Sequence, residues 1–187
     1  MRKILTLLWL LFPVAVFTYH FSEGPRQMAR EKARLHVAQI RAMERAKEPG
    51  WEVIIEEYDK LAGGLPKDEL PLVHHQIRLA KAKAQLEMLN VVGAIEDLNA
   101  LLKEAAQLHG EDAPITRGTR ETLGKAYYYA THLLKTNGAA EEEWRPFAER
   151  TRQIFRFLAE HQEPAALAEY ESRVGEALEK TIEKRSR

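Results

Sequence analysis

The side chains best suited to chemistry in this sequence are its seven histidines and the acidic residues beside one of them. His109, Glu111 and Asp112 lie together in the stretch HGEDAP, and an imidazole next to two carboxylates can transfer protons. The same stretch can also end one helix and begin another, with Asp112 as a cap and Pro114 in the first turn. We interpret HGEDAP as such a helix boundary rather than as a catalytic loop.

Spacing rules for metal and nucleophile sites select no residue of the chain. The sequence contains no His-Glu-x-x-His and no Glu-x-x-His pattern, and His74 and His75 would point about 100° apart on a helix. It also lacks a nucleophile elbow, a Walker loop and a dinucleotide fingerprint, and we interpret His132 as structural. We therefore predict no enzyme activity, no cofactor and no metal. Three histidines brought into one pocket by folding would favour an enzyme instead.

Composition indicates a folded helical protein, because 45% of the residues are hydrophobic and 30% are charged. Basic and acidic residues both number 28, and aromatic and basic residues form no organised set, so nucleic acid is not a predicted partner. Residues 1–50 hold nine basic and four acidic side chains, whereas residues 51–112 hold six basic and twelve acidic ones. The absence of cysteine excludes disulfides and thiolate catalysis and leaves the compartment open.

The N-terminus has two basic residues followed by an uncharged apolar run from Ile4 to about Tyr19. We predict an uncleaved transmembrane signal-anchor over residues 1–22, with residues 4–21 in lipid, because a spanning helix needs about 20 apolar residues. A buried core helix is one alternative. A cleaved signal peptide is another, although Phe17 is too large for a cleavage site at residues 15–17. Signal-anchor topology predicts an exported, periplasmic or extracytoplasmic domain, whereas the basic residues after the anchor would favour the cytoplasm.

Beyond the anchor the apolar pattern is helical, and proline and glycine mark the breaks. The predicted segments are 26–47, 50–62, 68–89, 91–109, 115–136, 141–160 and 164–184. Apolar residues recur three or four apart within them, which places these residues on one helix face. One such face consists of Ile95, Leu98, Leu101, Leu102, Ala105 and Leu108. The short breaks predict that sequential helices pack antiparallel.

Part of the chain resembles a tetratricopeptide repeat (TPR) protein. Leu123, Gly124 and Tyr127 have the Leu-Gly-x-x-Tyr spacing of that family's first helix, and a small residue recurs at Ala82 and Ala42. A small residue there lets the second helix of a pair approach closely. The family's second-helix positions are matched by Ile54, Tyr58, Leu61 and Pro66, then by Ala94, Leu98 and Leu101, and more loosely by Thr151, Phe155 and Leu158.

The resemblance covers about residues 30–160, and HGEDAP is similar to the turn before each repeat in kinesin light chains and related bacterial proteins. The chain departs from the family in that only the third first helix has the full Leu-Gly-Tyr set, and KTNGAAEEEW lengthens one turn. An ordinary bundle of the same helices is therefore the alternative.

The predicted fold is all-α, with antiparallel helix pairs stacked as a short TPR-like solenoid, one N-terminal transmembrane helix and a C-terminal capping helix. The predicted divisions are residues 1–22 for the anchor, 23–49 for a basic linker helix with the first helix of repeat 1, 50–163 for the repeats, and 164–187 for the capping helix and basic tail.

The resemblance implies a membrane-anchored adaptor or scaffold that binds a protein or peptide partner on its concave side. Carried over by position, that side would present Gln39, Gln76, Lys83, Glu121, Lys125 and Tyr128. Lys83 and Lys125 would hold a carboxylate, and Tyr128 would supply amphipathic contact area. The alternative is a structural subunit of a membrane complex that docks through a broad helical face, which an exposed apolar patch around Tyr170 and Val174 would favour.

Overall fold

The computed structural model describes residues 24–68 and 70–161, and this part of the chain is entirely helical. It contains six helices and no strand: α1 Gly24–Glu44, α2 Trp51–Gly64, α3 Pro71–Glu87, α4 Val91–His109, α5 Pro114–Thr136 and α6 Glu141–His161. The predicted all-α class is confirmed for these residues. The predicted anchor and capping helix lie outside the described residues, and no helix within the described ranges is long and apolar enough to cross a bilayer.

Helix boundaries lie where proline, asparagine and glycine favour them. Pro71 and Pro114 occupy the first turns of α3 and α5, where the missing N–H removes no hydrogen bond of the helix. Asn90 caps α4, because its side-chain oxygen accepts a hydrogen bond from the N–H of Gly93 at 3.3 Å. Gly110 follows α4 with a φ of 92°, a conformation that glycine adopts without steric strain.

The HGEDAP stretch is a helix boundary, but the prediction that Asp112 caps the next helix is wrong. Ala113 is the N-cap of α5, so Asp112 stands one residue too early for its carboxylate to take the capping position. The turn is held instead by Thr116, whose hydroxyl donates to a backbone carbonyl of the turn at 2.8 Å. An ion pair between Glu111 and Arg120 adds a second link to α5.

Each helix packs against the next along the chain, and α3 also contacts α5. The buried residues form two clusters that share α3. Ile77 and Ala84 of α3 belong to the cluster with α1 and α2, whereas Ala82 and Leu86 belong to the cluster that extends to α5. Because α3 buries residues in both clusters, it links the two halves of the described region.

Most predicted core positions of the second helices are buried. Ile54, Tyr58 and Leu61 of α2 have 7% or less of their surface exposed, and Leu98 and Leu101 of α4 have none. These positions follow the helical spacing of three and four, so the sequence pattern is sufficient to identify them.

Two apolar expectations are wrong. Leu108, assigned to the buried face of α4, is 58% exposed and lies on the wall of a groove in the last turn of the helix. Ala42, assigned as a small packing residue, is also exposed. The buried side of α1 is marked instead by Ala33 and Ile40, which shifts the register of α1 relative to the one that the repeat spacing suggested.

Helices α5 and α6 approach closely at Gly124. A Cβ atom added at Gly124 would lie 3.0 Å from Cγ2 of Ile154 and 3.2 Å from Cζ of Phe155, which is tighter than ordinary van der Waals contact. Ala82, the corresponding small residue of α3, is fully buried. The predicted role of a small side chain in close helix packing is confirmed at Gly124.

Candidate functional site

Two grooves run between alternate helices of the described region. The α2–α4 groove has a volume of about 640 Å³ and lies between α2 and α4 over α3. The α1–α3 groove has a volume of about 570 Å³ and lies between α1 and α3 over α2. The two differ in how their polar side chains are satisfied, and this difference identifies the candidate site.

Charged side chains at the centre of the α2–α4 groove pair with one another. Lys81 of α3 lies 2.8 Å from the Asp59 carboxylate of α2 and 3.4 Å from the Asp97 carboxylate of α4. Gln85 donates from Nε2 to Asp97 at 3.0 Å. The carboxylates raise the pKa of the Lys81 ammonium against the opposing effect of its burial, so it stays charged and links three helices.

Three histidines converge at one end of this groove, and spacing rules missed them. Nδ1 of His75 lies 3.1 Å from Nε2 of His109, although 34 residues separate them, and the adjacent His74 is also buried. Glu104 lies 3.6 Å from the other ring nitrogen of His75 and forms an ion pair with Arg78. The arrangement meets the condition that would favour an enzyme.

Burial lowers the pKa of the His75 imidazole, and the charges of His109 and Arg78 lower it further. Burial and Arg78 lower the pKa of His74 in the same direction. The lowered pKa values favour the neutral form of the His74 and His75 rings at pH 7, and the contact between His75 and His109 has the geometry of a hydrogen bond. Within residues 24–68 and 70–161, no three histidine, aspartate or glutamate side chains are placed to hold a metal ion. The cluster fastens the end of α4 to α3.

The α1–α3 groove has an apolar floor and polar walls. Its apolar side chains come from all three helices: Val37, Trp51, Tyr58, Val73, Ile77, Leu79, Ala80 and Ala84. Its walls carry Arg41 and Glu44 from α1 and Gln76, Lys83 and Glu87 from α3. An apolar floor with a few polar groups at its edge is typical of ligand and peptide sites.

Three of these wall residues have no side-chain partner in the part of the chain that the structure describes. Arg41, Gln76 and Lys83 form no hydrogen bond and no ion pair with any side chain in the described ranges. Glu44 differs, because the buried hydroxyl of Tyr58 donates to its carboxylate at 2.9 Å. The α1–α3 groove therefore offers two cations and one amide to a ligand. The central charges of the α2–α4 groove, Asp59, Lys81 and Asp97, are already paired.

Glu87 connects the groove to α5. The residue is exposed, yet partial desolvation of its carboxyl raises the pKa, and the charge of Glu44 adds to this effect. Lys125 of α5 lies close enough to oppose the shift. Burial raises the pKa of Tyr129, and Glu87 raises it further. Charged residues of α1, α3 and α5 thus interact along one side of the protein.

The six predicted binding residues are only partly brought together. Gln76 and Lys83 line the α1–α3 groove. Gln39 is exposed on α1 but does not line the groove. Lys125 forms an ion pair with Glu121 at 3.7 Å, so its charge is already in use. The α5 residue Tyr128 stacks on the ring of His132, with 6.5 Å between the ring centres.

Arg41, Glu44 and Trp51 are among the groove residues that sequence reasoning missed. The groove side of α1 is defined by Val37, Arg41 and Glu44, which recur at helical spacing. If Ala42 is taken as a core residue, the face with Val37, Arg41 and Glu44 points away from the groove, and Gln39 is selected as a binding residue instead. The apolar spacing of Ala33 and Ile40 is the signal that could have identified the correct face.

Comparison of the chain with protein-family models, with curated proteins and with solved structures finds no significant match.

Proposed function

We propose that this protein is a membrane-anchored TPR-like adaptor that binds a protein or peptide partner in the α1–α3 groove. The observation that carries the proposal is that Arg41, Gln76 and Lys83, above an apolar floor, pair with no side chain of the described residues. Polar groups without partners inside the protein lose little free energy when a ligand replaces the water bound to them. Such groups also fix the orientation of the ligand.

The repeat assignment is supported by the contact between α3 and α5. In a stack of helix pairs the first helix of one pair packs on the first helix of the next, and α3 and α5 hold those places. The small residues Ala82 and Gly124 at their equivalent positions support the same assignment. In this arrangement the α1–α3 groove lies on the concave side.

The chemistry of the groove indicates the kind of partner. Its floor takes aliphatic or aromatic side chains, and the walls place two cations beside one amide. A peptide that fits has an apolar face, a carboxylate for Arg41 or Lys83, and a backbone group or amide for Gln76. The partner is therefore an amphipathic segment with at least one acidic side chain.

The anchor places this groove near a membrane. Residues 1–22 span the bilayer, and the helical domain lies on the exported side. The adaptor performs no catalysis. The histidine cluster serves to join helices, since His75 of α3 hydrogen-bonds with His109 of α4.

The test uses the absence of cysteine from the chain. A single cysteine introduced by Gln76→Cys carries a photo-activated cross-linker inside the groove of the full-length protein in solubilised membranes. The matched control is Gln107→Cys, an exposed glutamine of α4 outside the groove. We expect a defined cross-linked partner from position 76 and none from position 107.

The charge of the groove provides the second readout. In the Gln76→Cys protein, Arg41→Ala together with Lys83→Ala should weaken the cross-link at least tenfold, since each charge-assisted hydrogen bond contributes roughly 1.5–3 kcal/mol. Loss of the same number of charges through Lys103→Ala and Arg117→Ala, both exposed elsewhere, should leave it unchanged. Equal cross-linking from positions 76 and 107 would contradict the groove and favour a structural subunit with a broad docking face.

A further inference from the structure

Helix α1 has an exposed face that no other described helix covers, and it carries a row of arginines. Arg30, Arg34 and Arg41 lie on α1 and are exposed. Arg45 follows directly, and its N–H still bonds the Arg41 carbonyl at 3.3 Å, so the helical register continues. At 100° per residue the four side chains fall within about 60° of one another and extend over about 22 Å.

These arginines are largely unneutralised. Arg34 lies 3.9 Å from Glu31, and both side chains are well exposed, so this ion pair is weak. Arg30, Arg41 and Arg45 form no ion pair within residues 24–68 and 70–161. A row of uncompensated arginines attracts an extended anionic surface more strongly than it attracts a single charge.

Exposed apolar side chains lie beside the arginine row. Met28 is 61% exposed and Leu35 is 59% exposed, and their seven-residue spacing places them on the same side of α1. Ala38 and Ala42 are exposed between this pair and the arginines. The core side of α1, marked by Ala33, lies roughly opposite. One exposed face thus combines apolar residues with basic residues at its flank, as helices that lie in a membrane interface do.

Chain continuity favours a membrane over an acidic protein as the occupant. The apolar run ends at about Tyr19, and α1 begins at Gly24. Five residues span at most about 18 Å, so an anchored chain holds the start of α1 at the headgroup layer. We propose that the exposed face of α1 lies on the bilayer and binds anionic phospholipid headgroups through Arg30, Arg34 and Arg45.

This inference rests on the anchor in the proposed function, and it adds a second contact with the membrane. The tether raises the local concentration of lipid around α1, so binding that is weak for a free helix becomes strong. Docking would also fix the direction in which the neighbouring α1–α3 groove faces, because Arg41 borders both surfaces.

The experiment measures the depth of α1 in vesicles. The full-length protein carries a fluorophore at a single cysteine, Ala38→Cys on the exposed face or Gln107→Cys on α4 as the control. Vesicles contain either phosphatidylcholine alone or three parts phosphatidylcholine to one part phosphatidylserine, with a quencher-bearing lipid in each. We expect quenching at position 38 only in the phosphatidylserine vesicles, and none at position 107 in either.

Charge removal tests the role of the arginines. Each basic residue near an anionic surface contributes about fivefold, so Arg30→Gln, Arg34→Gln and Arg45→Gln together should lower the ratio of docked to undocked protein on the order of 100-fold. The matched control removes three exposed basic residues elsewhere: Lys103→Gln, Arg117→Gln and Arg150→Gln. It should leave the ratio unchanged. Raising the salt from about 0.1 M to about 1 M should also undock α1, because the Debye length falls from about 10 Å to about 3 Å.

The outcomes separate the inference from the anchor. An unquenched probe at position 38 in phosphatidylserine vesicles, or quenching that survives loss of the three arginines, overturns the lipid surface. If the protein remains in salt-washed membranes in that case, the anchor stands and only the inference fails. Release of the whole chain by salt alone overturns the anchor and, with it, the inference.

Discussion

Replacing Gly124 by alanine provides the sharpest test of the close contact between α5 and α6. The added Cβ would lie 3.0 Å from Cγ2 of Ile154, a side chain with a stiff branch point, and 3.2 and 3.3 Å from two carbons of the Phe155 ring. Forcing a methyl group into a packed site costs about 1–3 kcal/mol. Alanine stabilises a helix by about 1 kcal/mol relative to glycine, so the free energy of unfolding should fall by a net amount of about 0–2 kcal/mol.

Gly118 supplies the matched control, because it lies in the same helix. A Cβ atom at Gly118 would lie 3.5 Å from Cδ2 of Leu79, which is ordinary van der Waals contact. The Gly118→Ala variant therefore gains the higher helix propensity of alanine without a steric clash. We expect Gly118→Ala to raise the free energy of unfolding by up to about 1 kcal/mol. The two variants should therefore differ by about 1–3 kcal/mol, with Gly124→Ala the less stable.

The assay is urea unfolding of the full-length protein in detergent, followed by the helical circular dichroism signal. Since both variants make the same chemical change, propensity and unfolded-state effects cancel in their difference. If Gly124→Ala is as stable as Gly118→Ala, the close approach of α5 and α6 is not a constraint on position 124, and the packing account of this residue is refuted.

Two further predictions concern buried polar groups. Burial lowers the pKa of His74 and His75, so on acidification these histidines take up protons in the unfolded chain before they do so in the folded protein. Their contribution to the free energy of unfolding should therefore be complete above about pH 6.5 and should decline as the pH falls through the lowered pKa values. Urea unfolding at about pH 7.5 and about pH 5.5 measures this loss of stability. The loss should be smaller in the His75→Gln variant. Equal stability of the unmodified protein at both pH values would contradict the prediction. Tyr58→Phe removes the hydrogen bond to Glu44 and should cost about 1–2 kcal/mol in the same assay. Tyr127→Phe, at a more exposed hydroxyl, should change stability by less than about 0.5 kcal/mol, and equal losses would show that the Tyr58 bond contributes nothing specific.

Two of the six predicted binding residues line the candidate site, and the errors have identifiable causes. Gln76 and Lys83 were predicted as binding residues and line the α1–α3 groove, because the register of α3 was fixed by the small residue Ala82. Gln39 was chosen from a register for α1 that used the exposed Ala42 as a core residue. An alanine fits either face of a helix, so its position alone does not fix the register.

The sequence by itself determined the helices of the described region. The predicted segments differ from α1–α6 by three residues at most at any end, since apolar periodicity and the proline and glycine breaks are local properties of the chain. The buried positions of α2 and α4 follow from the same spacing.

Only the tertiary structure decided which side chains meet across helices. His75 and His109 are 34 residues apart, and the three-helix link through Lys81 joins Asp59 to Asp97. No local pattern encodes such contacts, because they depend on the angle and register at which the helices pack. The same packing left Arg41, Gln76 and Lys83 of the α1–α3 groove without side-chain partners in the described region, and it paired Asp59, Lys81 and Asp97 of the α2–α4 groove. That difference selects the groove proposed to bind.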